Sequence, residues 1–394
     1  MGGVRRPRPS DRICVVRGLR TPFARQGGGY RGLRALDLGR MVVAELIARA
    51  ELDPREVGLL VYGQASPTPD APNIAREIVL GVDLPKTVEA FSVVSACITS
   101  MQATTSAAEA MLAGRHDLAI VGGADSVGMG SKRAGAPPMS EHAERMAKDA
   151  GIARGEQDAL AHRSHVRAAA AWQRGTFDEE VMHVLPPPNF DAPVSEDELV
   201  RYDATLAAYG ELAPSVDPAH GTVTRGNSSA ASDGASALLL MAESKARATG
   251  FEPLGYLRSW AYAAVDPKDG LLMGPAYAVP SALDEAGLRL VDIDVVEMHE
   301  AFAAQVLGNR RALASRRFAE EKLGRSTGPI GEIDDERFNV HGGSIALGHP
   351  FAATGARMIH TVLKELRRRR GQFGLATACA DGGLGAAVVL EAAS

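Results

Sequence analysis

The run Phe91-Ser92-Val93-Val94-Ser95-Ala96-Cys97-Ile98-Thr99-Ser100-Met101-Gln102-Ala103 decides the fold of this chain. A short β-branched stretch ends at Ser95-Ala96-Cys97, and a small-residue, Ala-rich helical pattern continues to Gly114. This places Cys97 at a strand-to-helix turn, in the first turn of the helix. Backbone N–H groups are unpaired there and the helix dipole is positive, so a thiolate is expected in preference to a thiol. An activated thiolate needs a base and a place for an oxyanion. Taken alone, Cys97 reads equally well as a buried small hydrophobe.

Working outward, the flanking elements repeat the pattern of a short apolar run followed by a helix. Ile13-Cys14-Val15-Val16 reads as a buried strand, Leu36 to Ala50 as a helix with Met41, Val42, Leu46 and Ile47 on one side, and Leu59-Leu60-Val61-Tyr62 as strand. Asp53-Pro54-Arg55-Glu56 carries a helix-start signature, and Ile74 to Leu80 is helical. After the Cys97 helix, Leu118-Ala119-Ile120-Val121 is another buried strand, closed by Gly122-Gly123-Ala124-Asp125. The composition changes at Gly128: a Gly/Pro-rich loop with Lys132 and Arg133 runs to Pro138. A polar helical stretch then spans Glu141 to Arg174, and an irregular one runs from Pro186-Pro187-Pro188 to about His220. His162 and His165 share a helix face, but no further metal ligands lie nearby in sequence, so a solvated face is expected. Strand chemistry returns at Ala237-Leu238-Leu239-Leu240-Met241, with a short helix to Gly250.

From Leu254 the first half is predicted to repeat. Glu51 to Gln64 can be laid without gaps on Gly287 to Glu300. The Ala96-Cys97 helix and its strand are laid on Gly348-His349, the helix to Arg370, and Phe373 to Ala378, so that Gly123-Ala124-Asp125 faces Cys379-Ala380-Asp381. A duplicated α/β unit with a polar insertion puts Cys97, His299, His349 and Cys379 at strand ends, where chemistry in α/β sheets tends to sit.

Whole-chain properties narrow the function class. The chain has 394 residues, 45% hydrophobic and 23% charged, which suits a soluble globular protein of two or three units. A net charge of -5 argues against a nucleic-acid partner. Cys14, Cys97 and Cys379 are far apart and suggest no disulfide framework, which fits a reducing cytoplasm. There is no transmembrane segment by length of apolar run. The start, Met1 to Pro9, is basic without an apolar signal core and reads as a frayed tail. The end, Glu391-Ala392-Ala393-Ser394, is not the peroxisomal tripeptide. Arg367-Arg368-Arg369-Arg370 before Gly371 reads as capping at a helix C-terminus.

Two residues complete the candidate chemistry. His349, between Gly348 and Pro350, sits near a helix start, where it can take a proton from Cys97 and donate to an oxyanion. The preceding Gly342-Gly343 pair is expected to let backbone approach a ligand. Cys379 opens the glycine-rich turn Cys379-Ala380-Asp381-Gly382-Gly383-Leu384-Gly385. Two thiols without CxxC spacing, plus a histidine, suit a covalent acyl step coupled to proton transfer at an α-carbon.

These residues carry a resemblance to the thiolase superfamily. The matching runs are Ser95-Ala96-Cys97, Gly221 to Thr224 with Gly226-Asn227-Ser228-Ser229 and Asp233-Gly234-Ala235, His299-Glu300-Ala301-Phe302, Gly348-His349-Pro350 and Cys379 to Gly385, in family order across nearly the whole chain. The resemblance implies an α/β thiolase fold: duplicated βαβαβαββ halves in a five-layered αβαβα sandwich. The halves fall at residues 1–126 with 222–252 and at 253–394, with an inserted loop domain at 127–221. His299 stands where most thiolases carry Asn, which is similar to the β-subunits of fatty-acid-oxidation trifunctional complexes.

The implied activity is 3-ketoacyl-CoA thiolysis through an acyl-cysteine in β-oxidation. Coenzyme A is then substrate and product, with no prosthetic group and no metal. Cys97 is the implied nucleophile, His349 its activator, and Cys379 the acid/base at the α-carbon. His299 and His349 form one oxyanion hole, and the backbone N–H groups of Cys97 and Asp381 the other. Ser229 and Ser228 hold the pantetheine arm. The implied assembly is a homodimer or homotetramer, with a hydratase/dehydrogenase α-subunit as a candidate partner. Two alternatives stand beside it: an acetyl-CoA acetyltransferase or other condensing enzyme, which Cys379 opposes for the ketoacyl synthases, and a catalytically impaired acyl-CoA-binding protein.

Three departures from the family pattern carry expectations of their own. Asp381 replaces a usual Gly or Ala; its carboxylate is expected to raise the pKa of Cys379, and its backbone to need a positive φ. The segment Ser126 to His142 is short for the long-chain branch. Leu212 to Val216 lacks the usual basic and aromatic residues, and Arg225 is either a substitute phosphate contact or a surface arginine.

Overall fold

Most strands are buried on both faces, which is why they are apolar at successive positions rather than alternating. The computed structural model describes residues 11–127 and 138–393. Strands β1 (Ile13–Arg20), β3 (Leu59–Gly63), β4 (Glu89–Val93), β5 (Leu118–Asp125) and β6 (Ser232–Ala242) make the first sheet, in the order β4-β3-β5-β6-β1. Strands β7 (Gly255–Ala264), β8 (Val295–Met298), β9 (Phe373–Ala380) and β10 (Leu384–Ala392) continue it as β7-β10-β9-β8. The two sheets meet through a short antiparallel contact of Cys14 and Val15 with Tyr256 and Gly255. A two-residue strand β2 (Ala24–Arg25) pairs with the start of β6.

Successive residues enter different cores. Leu60 and Tyr62 pack under α1 (Ala35–Arg49) and α2 (Ile74–Gly81), with Leu38, Val42, Leu46 and Ile78. Leu59 and Val61 face the opposite way, onto α3 (Thr99–Leu112) and α12 (Thr354–Arg369). In the second sheet Val388 joins that middle core, whereas Val389 packs with α8 (Gly274–Ala286) and α9 (Ala303–Ala314). The result is helix, sheet, helix, sheet, helix. This is the five-layered sandwich that the resemblance implies.

In the middle layer α3 is rich in small residues, and α12 crosses it at Gly355. A Cβ on Gly355 would meet the Met101 side chain at 2.6 Å and its backbone N at 2.8 Å. At the same crossing Ala356 N–H donates to Ser100 Oγ at 2.8 Å. Polar Ser, Thr and Gln residues among the alanines of α3 let it lie between two sheets without bulk.

The duplication is visible in backbone detail. Glu51 (φ 49°) and Gly287 (φ 70°) both turn left-handed, and each precedes a 3-10 turn, Pro54–Glu56 and Leu290–Asp292, and a strand, β3 and β8. The helix-start signature at Asp53 thus yields a single 3-10 turn, with Asp53 accepting from Arg55 N–H. The alignment of the Cys97 helix needs correction. The turns Ala96–Ile98 and Phe351–Ala353 are equivalent, each opened by a left-handed non-glycine, Ala96 (φ 47°) and Phe351 (φ 26°). Cys97 therefore matches Ala352, not His349. Tyr62 pairs with Gly122 while Met298 pairs with Thr377, so Ala124, not Gly123, matches Cys379. Similar small residues on both sides of the gap hid this offset.

The polar stretch after residue 138 is two helices, α4 (Met139–Asp149) and α5 (Arg154–Gln173), separated at Gly151 (φ 61°). His165 on α5 is buried, not solvated; it accepts from Arg201 N–H at 3.2 Å, and burial pushes it down to about 4. His162 lies against Ala204 O at 3.1 Å. Among the C-terminal arginines of α12, Arg368 and Arg369 pair with Glu365, and Arg370 (φ 56°), not Gly371, takes the left-handed cap position. The expectations for Met1 to Pro9, for the loop with Lys132 and Arg133, and for Ser394 lie outside the described residues.

The insertion is tied to the first strand by a buried ion pair. Arg20 donates to both Asp197 oxygens at 2.6 and 2.9 Å, and Asp197 also accepts from Phe23 N–H and Trp172 Nε1–H. Removing one partner leaves a buried uncompensated charge. We therefore expect Asp197→Ala to lower unfolding free energy by about 3–5 kcal/mol, read from urea denaturation. A change below about 1 kcal/mol, the range of a surface pair, would contradict this.

Candidate active site

Cys97 lies in the 3-10 turn between β4 and α3, and the left-handed Ala96 before it turns the chain sharply enough to aim the thiol inward. His349 reaches it from a loop, not from a strand end. That loop follows α11 (Ser344–Leu347) and is held by Ser232 Oγ and Ala230 O, both accepting from His349 N–H at 3.1 Å. His349 Nε2 sits 3.1 Å from Cys97 Sγ, and Nδ1 sits 2.8 Å from Thr354 Oγ1. His299 immediately follows β8, and its ring centroid is 4.1 Å from that of His349. Cys379 is the penultimate residue of β9, which runs alongside the Cys97 turn. Cys97, His299, His349 and Cys379 are all buried.

Burial sets the protonation states. It pushes the Cys97 thiol up to about 12; the Asp381 backbone N–H opposes this, while the charges of Asp381 and Asp125 add to it. Burial first, then the Arg357 charge, lowers His349 to about 3. The resting pair is thus a neutral thiol and a neutral imidazole, which corrects the expectation of a thiolate from the helix dipole. Desolvation of a fully enclosed sulfur outweighs the dipole of one helix turn. When S–H points at Nε2, as transfer of the thiol proton needs, Nδ1–H is left to donate to Thr354 Oγ1. Burial likewise raises Cys379, with Cys97 adding to the shift, and lowers His299, with His349 and Arg357 adding to it.

Asp381 differs from its backbone expectation. It is not among the residues with positive φ; Gly382 (φ 87°) and Gly383 (φ 80°) take the left-handed positions instead. Its charge raises the Cys97 thiol, while its N–H points to the Cys97 sulfur. The carboxylate accepts from Gly382 N–H at 2.8 Å.

Glu300 braces the site from behind. Its buried carboxylate accepts from Ser164 Oγ and Asn339 Nδ2, each at 2.7 Å, and from Ile345 N–H at 3.1 Å. Gly343 passes so close that a Cβ would meet that carboxyl group at 2.3 Å, and a Cβ on left-handed Gly342 would meet Ser164 O at 2.4 Å. The Gly342-Gly343 pair permits this packing. Asp125 closes the first sheet by accepting from Ala352 N–H at 2.8 Å and Ala65 N–H at 3.0 Å; burial raises it to about 7.

The remaining sequence candidates are less central. Ser228 Oγ donates to Thr224 O at 2.6 Å and Ser229 Oγ to Ala301 O at 3.2 Å, which leaves both hydroxyls able to accept. Arg225 is exposed beside them. Thr354, Ser344, Arg357 and Asp125 were assigned no role from sequence. The available signal was polar residues interrupting the apolar run from Gly342 to Arg357. The Cys97 sulfur and ring nitrogens of His299 and His349 lie within 4.8 Å of one another, a donor set acceptable to a soft divalent metal. The same atoms form the thiol–imidazole constellation.

Comparison with known proteins follows the same lines. Residues 13–137 and 134–244 match the model for "Thiolase, N-terminal domain", and residues 251–392 that for "Thiolase, C-terminal domain". Curated 3-ketoacyl-CoA thiolases of Escherichia fergusonii and Cronobacter sakazakii are each 50% identical over 428 aligned positions, covering 98% of both chains. Human mitochondrial 3-ketoacyl-CoA thiolase superposes with a TM-score of 0.87 at 29% identity, covering 98% of this chain and 99% of that one; it has also been solved in complex with CoA. The acetyl-CoA acetyltransferase of Bacillus anthracis matches at 30% identity with a TM-score of 0.87, covering 97% and 99%.

A neutral Cys97 makes a checkable statement about pH. Because its pKa is raised towards about 12, thiolate is scarce at neutral pH and grows about tenfold per unit below that value. Alkylation of Cys97 by iodoacetamide in the free protein should rise steadily from pH 6 to 9. Asp381→Asn, which keeps the amide and removes the charge, should displace the profile to lower pH. A plateau across that range would mean a preformed thiolate.

Proposed function

The chain belongs to the thiolase family and is an acyltransferase acting as a 3-ketoacyl-CoA thiolase, and we propose that its chemistry runs through Cys97, His349, Cys379 and His299. The observation that carries the residue assignment is the 3.1 Å contact between Cys97 Sγ and His349 Nε2, beside a second buried thiol.

The reaction begins with a 3-oxoacyl-CoA bound with its 3-carbonyl at Cys97. The thiol proton passes to His349 Nε2 as sulfur attacks C3, so no free thiolate is needed beforehand. The oxyanion is held by the N–H groups of Cys97 and Asp381. Collapse breaks the C2–C3 bond and leaves an acyl-Cys97 and the enolate of acetyl-CoA. His299 and His349 hold the enolate oxygen while the Cys379 thiol protonates C2. Acetyl-CoA leaves. The Cys379 thiolate then takes the proton of an incoming CoA thiol, which attacks acyl-Cys97, and the proton on His349 returns to Cys97. The shortened acyl-CoA departs and every group is restored. Ser229 and Ser228 accept hydrogen bonds from the pantetheine amides, and Arg225 meets a phosphate.

Burial suits this scheme. A raised pKa on Cys379 keeps it a proton donor until the enolate forms, and neutral imidazoles can accept from Cys97 or donate to oxygen. The ordinary backbone of Asp381 weighs against an impaired binding protein, because its amide remains directed at Cys97. The proposal extends to a homodimer or homotetramer in the cytoplasm, with a hydratase/dehydrogenase subunit as partner and the loop domain at 127–221 shaping the acyl site. No helix among the described residues is long and apolar enough to cross a membrane.

Thiolysis of a 3-oxoacyl-CoA series with free CoA tests the reading. Wild type should turn over and show a chain-length optimum. Cys97→Ala should lose activity by a factor of about 10³ or more, and Cys379→Ala comparably. Turnover that appears only in Asp381→Gly would replace the thiolase reading with that of a binding protein.

A further inference from the structure

His299 carries an unfinished hydrogen-bond account that its neighbours resolve. Its Nε2 is buried and has no partner, whereas Nδ1 lies 2.8 Å from Ser344 Oγ. A neutral imidazole has one N–H, so the group at Nδ1 determines what Nε2 can do. If Nδ1 carries the hydrogen, Nε2 is an acceptor and repels a developing oxyanion. If Nδ1 accepts, Nε2–H is a donor.

Ser344 decides between these because of what lies on its other side. Arg357 Nη2 is 3.3 Å from Ser344 Oγ, and a guanidinium can only donate. Ser344 has a single hydroxyl hydrogen, and among the described residues His299 Nδ1 is the acceptor within reach of it. Arg357 is itself held by an ion pair to Glu297 on β8, two residues before His299; both side chains are buried. The run Glu297–Arg357–Ser344–His299 thus closes on β8 and the start of α11.

We propose that Arg357 and Ser344 are positioning residues that lock His299 in its Nε2–H tautomer, making it a neutral hydrogen-bond donor to substrate oxygen instead of a base. The Arg357 charge occupies a Ser344 lone pair, the Ser344 hydroxyl donates to Nδ1, and the orphaned Nε2–H is left pointing into the site. The lowered pKa of His299 agrees, since burial and the nearby Arg357 both disfavour an imidazolium. The relay gives a histidine the donor role that the Asn amide, which has no tautomer to set, fills in other thiolases. The inference rests on the placement of His299 in the proposed oxyanion hole.

Two measurements test it. The first is the side-chain ¹⁵N spectrum of protein labelled at histidine, with His299 assigned by its loss in His299→Asn. The expected spectrum shows a protonated Nε2 and a bare Nδ1, and Ser344→Ala mixes the tautomers. A protonated Nδ1 in wild type overturns the proposal, and this reading requires neither activity nor the Ser344 variant. The second is kinetic. Ser344→Ala should lower kcat about tenfold with KM changed less than about twofold. In a His299→Asn background the same substitution should change kcat less than about twofold, because the amide donor has no tautomer. Equal losses in both backgrounds would assign Ser344 a merely structural role and overturn the relay. Absence of thiolysis in wild type would instead defeat the functional reading, leaving the tautomer to be decided by the spectrum alone.

Discussion

The contact between Cys97 Sγ and His349 Nε2 joins residues 252 positions apart and lies where the two halves of the molecule meet. Everything around it keeps two sheets close enough for that contact. The middle helices approach at Gly355 and Met101, and a larger residue at 355 would drive α12 from α3 and carry His349 away from the thiol. Asp125, at the end of a first-half strand, holds the second-half turn that contains Ala352, matching it residue for residue with the turn of Cys97. The pseudo-symmetry of the fold is therefore the means of assembling the site. One turn supplies the sulfur, and the loop leading to its twin supplies the imidazole.

The same closeness excludes water, and exclusion governs the electrostatics. A helix dipole is worth little against complete desolvation, so the groups rest neutral. Neutrality is compatible with acyl transfer, since charge then appears only as substrate reacts and only where donors are aimed. Buried polar side chains act mainly to orient these neutral groups. Thr354 contacts His349 Nδ1, Ser344 contacts His299, and Glu300 gathers Ser164, Asn339 and Ile345 beneath them. A buried carboxylate with three hydrogen-bond donors serves as scaffold, whereas an unsatisfied one would weaken the fold.

The order of elements along the chain and the candidates Cys97, His349 and Cys379 could be read from local signals, because apolar runs and helix starts are local, whereas the role proposed for His299 came from the family resemblance. The duplication was also legible from Glu51 to Glu300, where a left-handed residue, a short turn and a strand recur at fixed spacing. It was misread by three residues at His349 and by one at Cys379. Neither Ala96 nor Phe351 announces a left-handed backbone, as only tertiary packing stabilises that conformation in an alanine or phenylalanine. His165 was misplaced for a related reason: α5 mixes polar residues with alanines and shows no clear apolar stripe, so its sequence does not tell which face is covered.

The sequence by itself determined the element types, the family pattern and the residue types available for acyl and proton transfer. Those depend on periodicity and side-chain chemistry, which need no neighbours from afar. The tertiary structure decided which form each group takes. Cys97 is a thiol because its surroundings exclude water. Gly382 and Gly383, not Asp381, carry the left-handed turn, and at Gly383 the chain runs so close to Val265 that a Cβ would meet its carbonyl at 2.2 Å. The Gly342-Gly343 pair admits the close approach of Glu300 and Ser164. Protonation, tautomer and close approach are properties of what surrounds a residue on every side, and those surroundings exist only once distant segments have packed together.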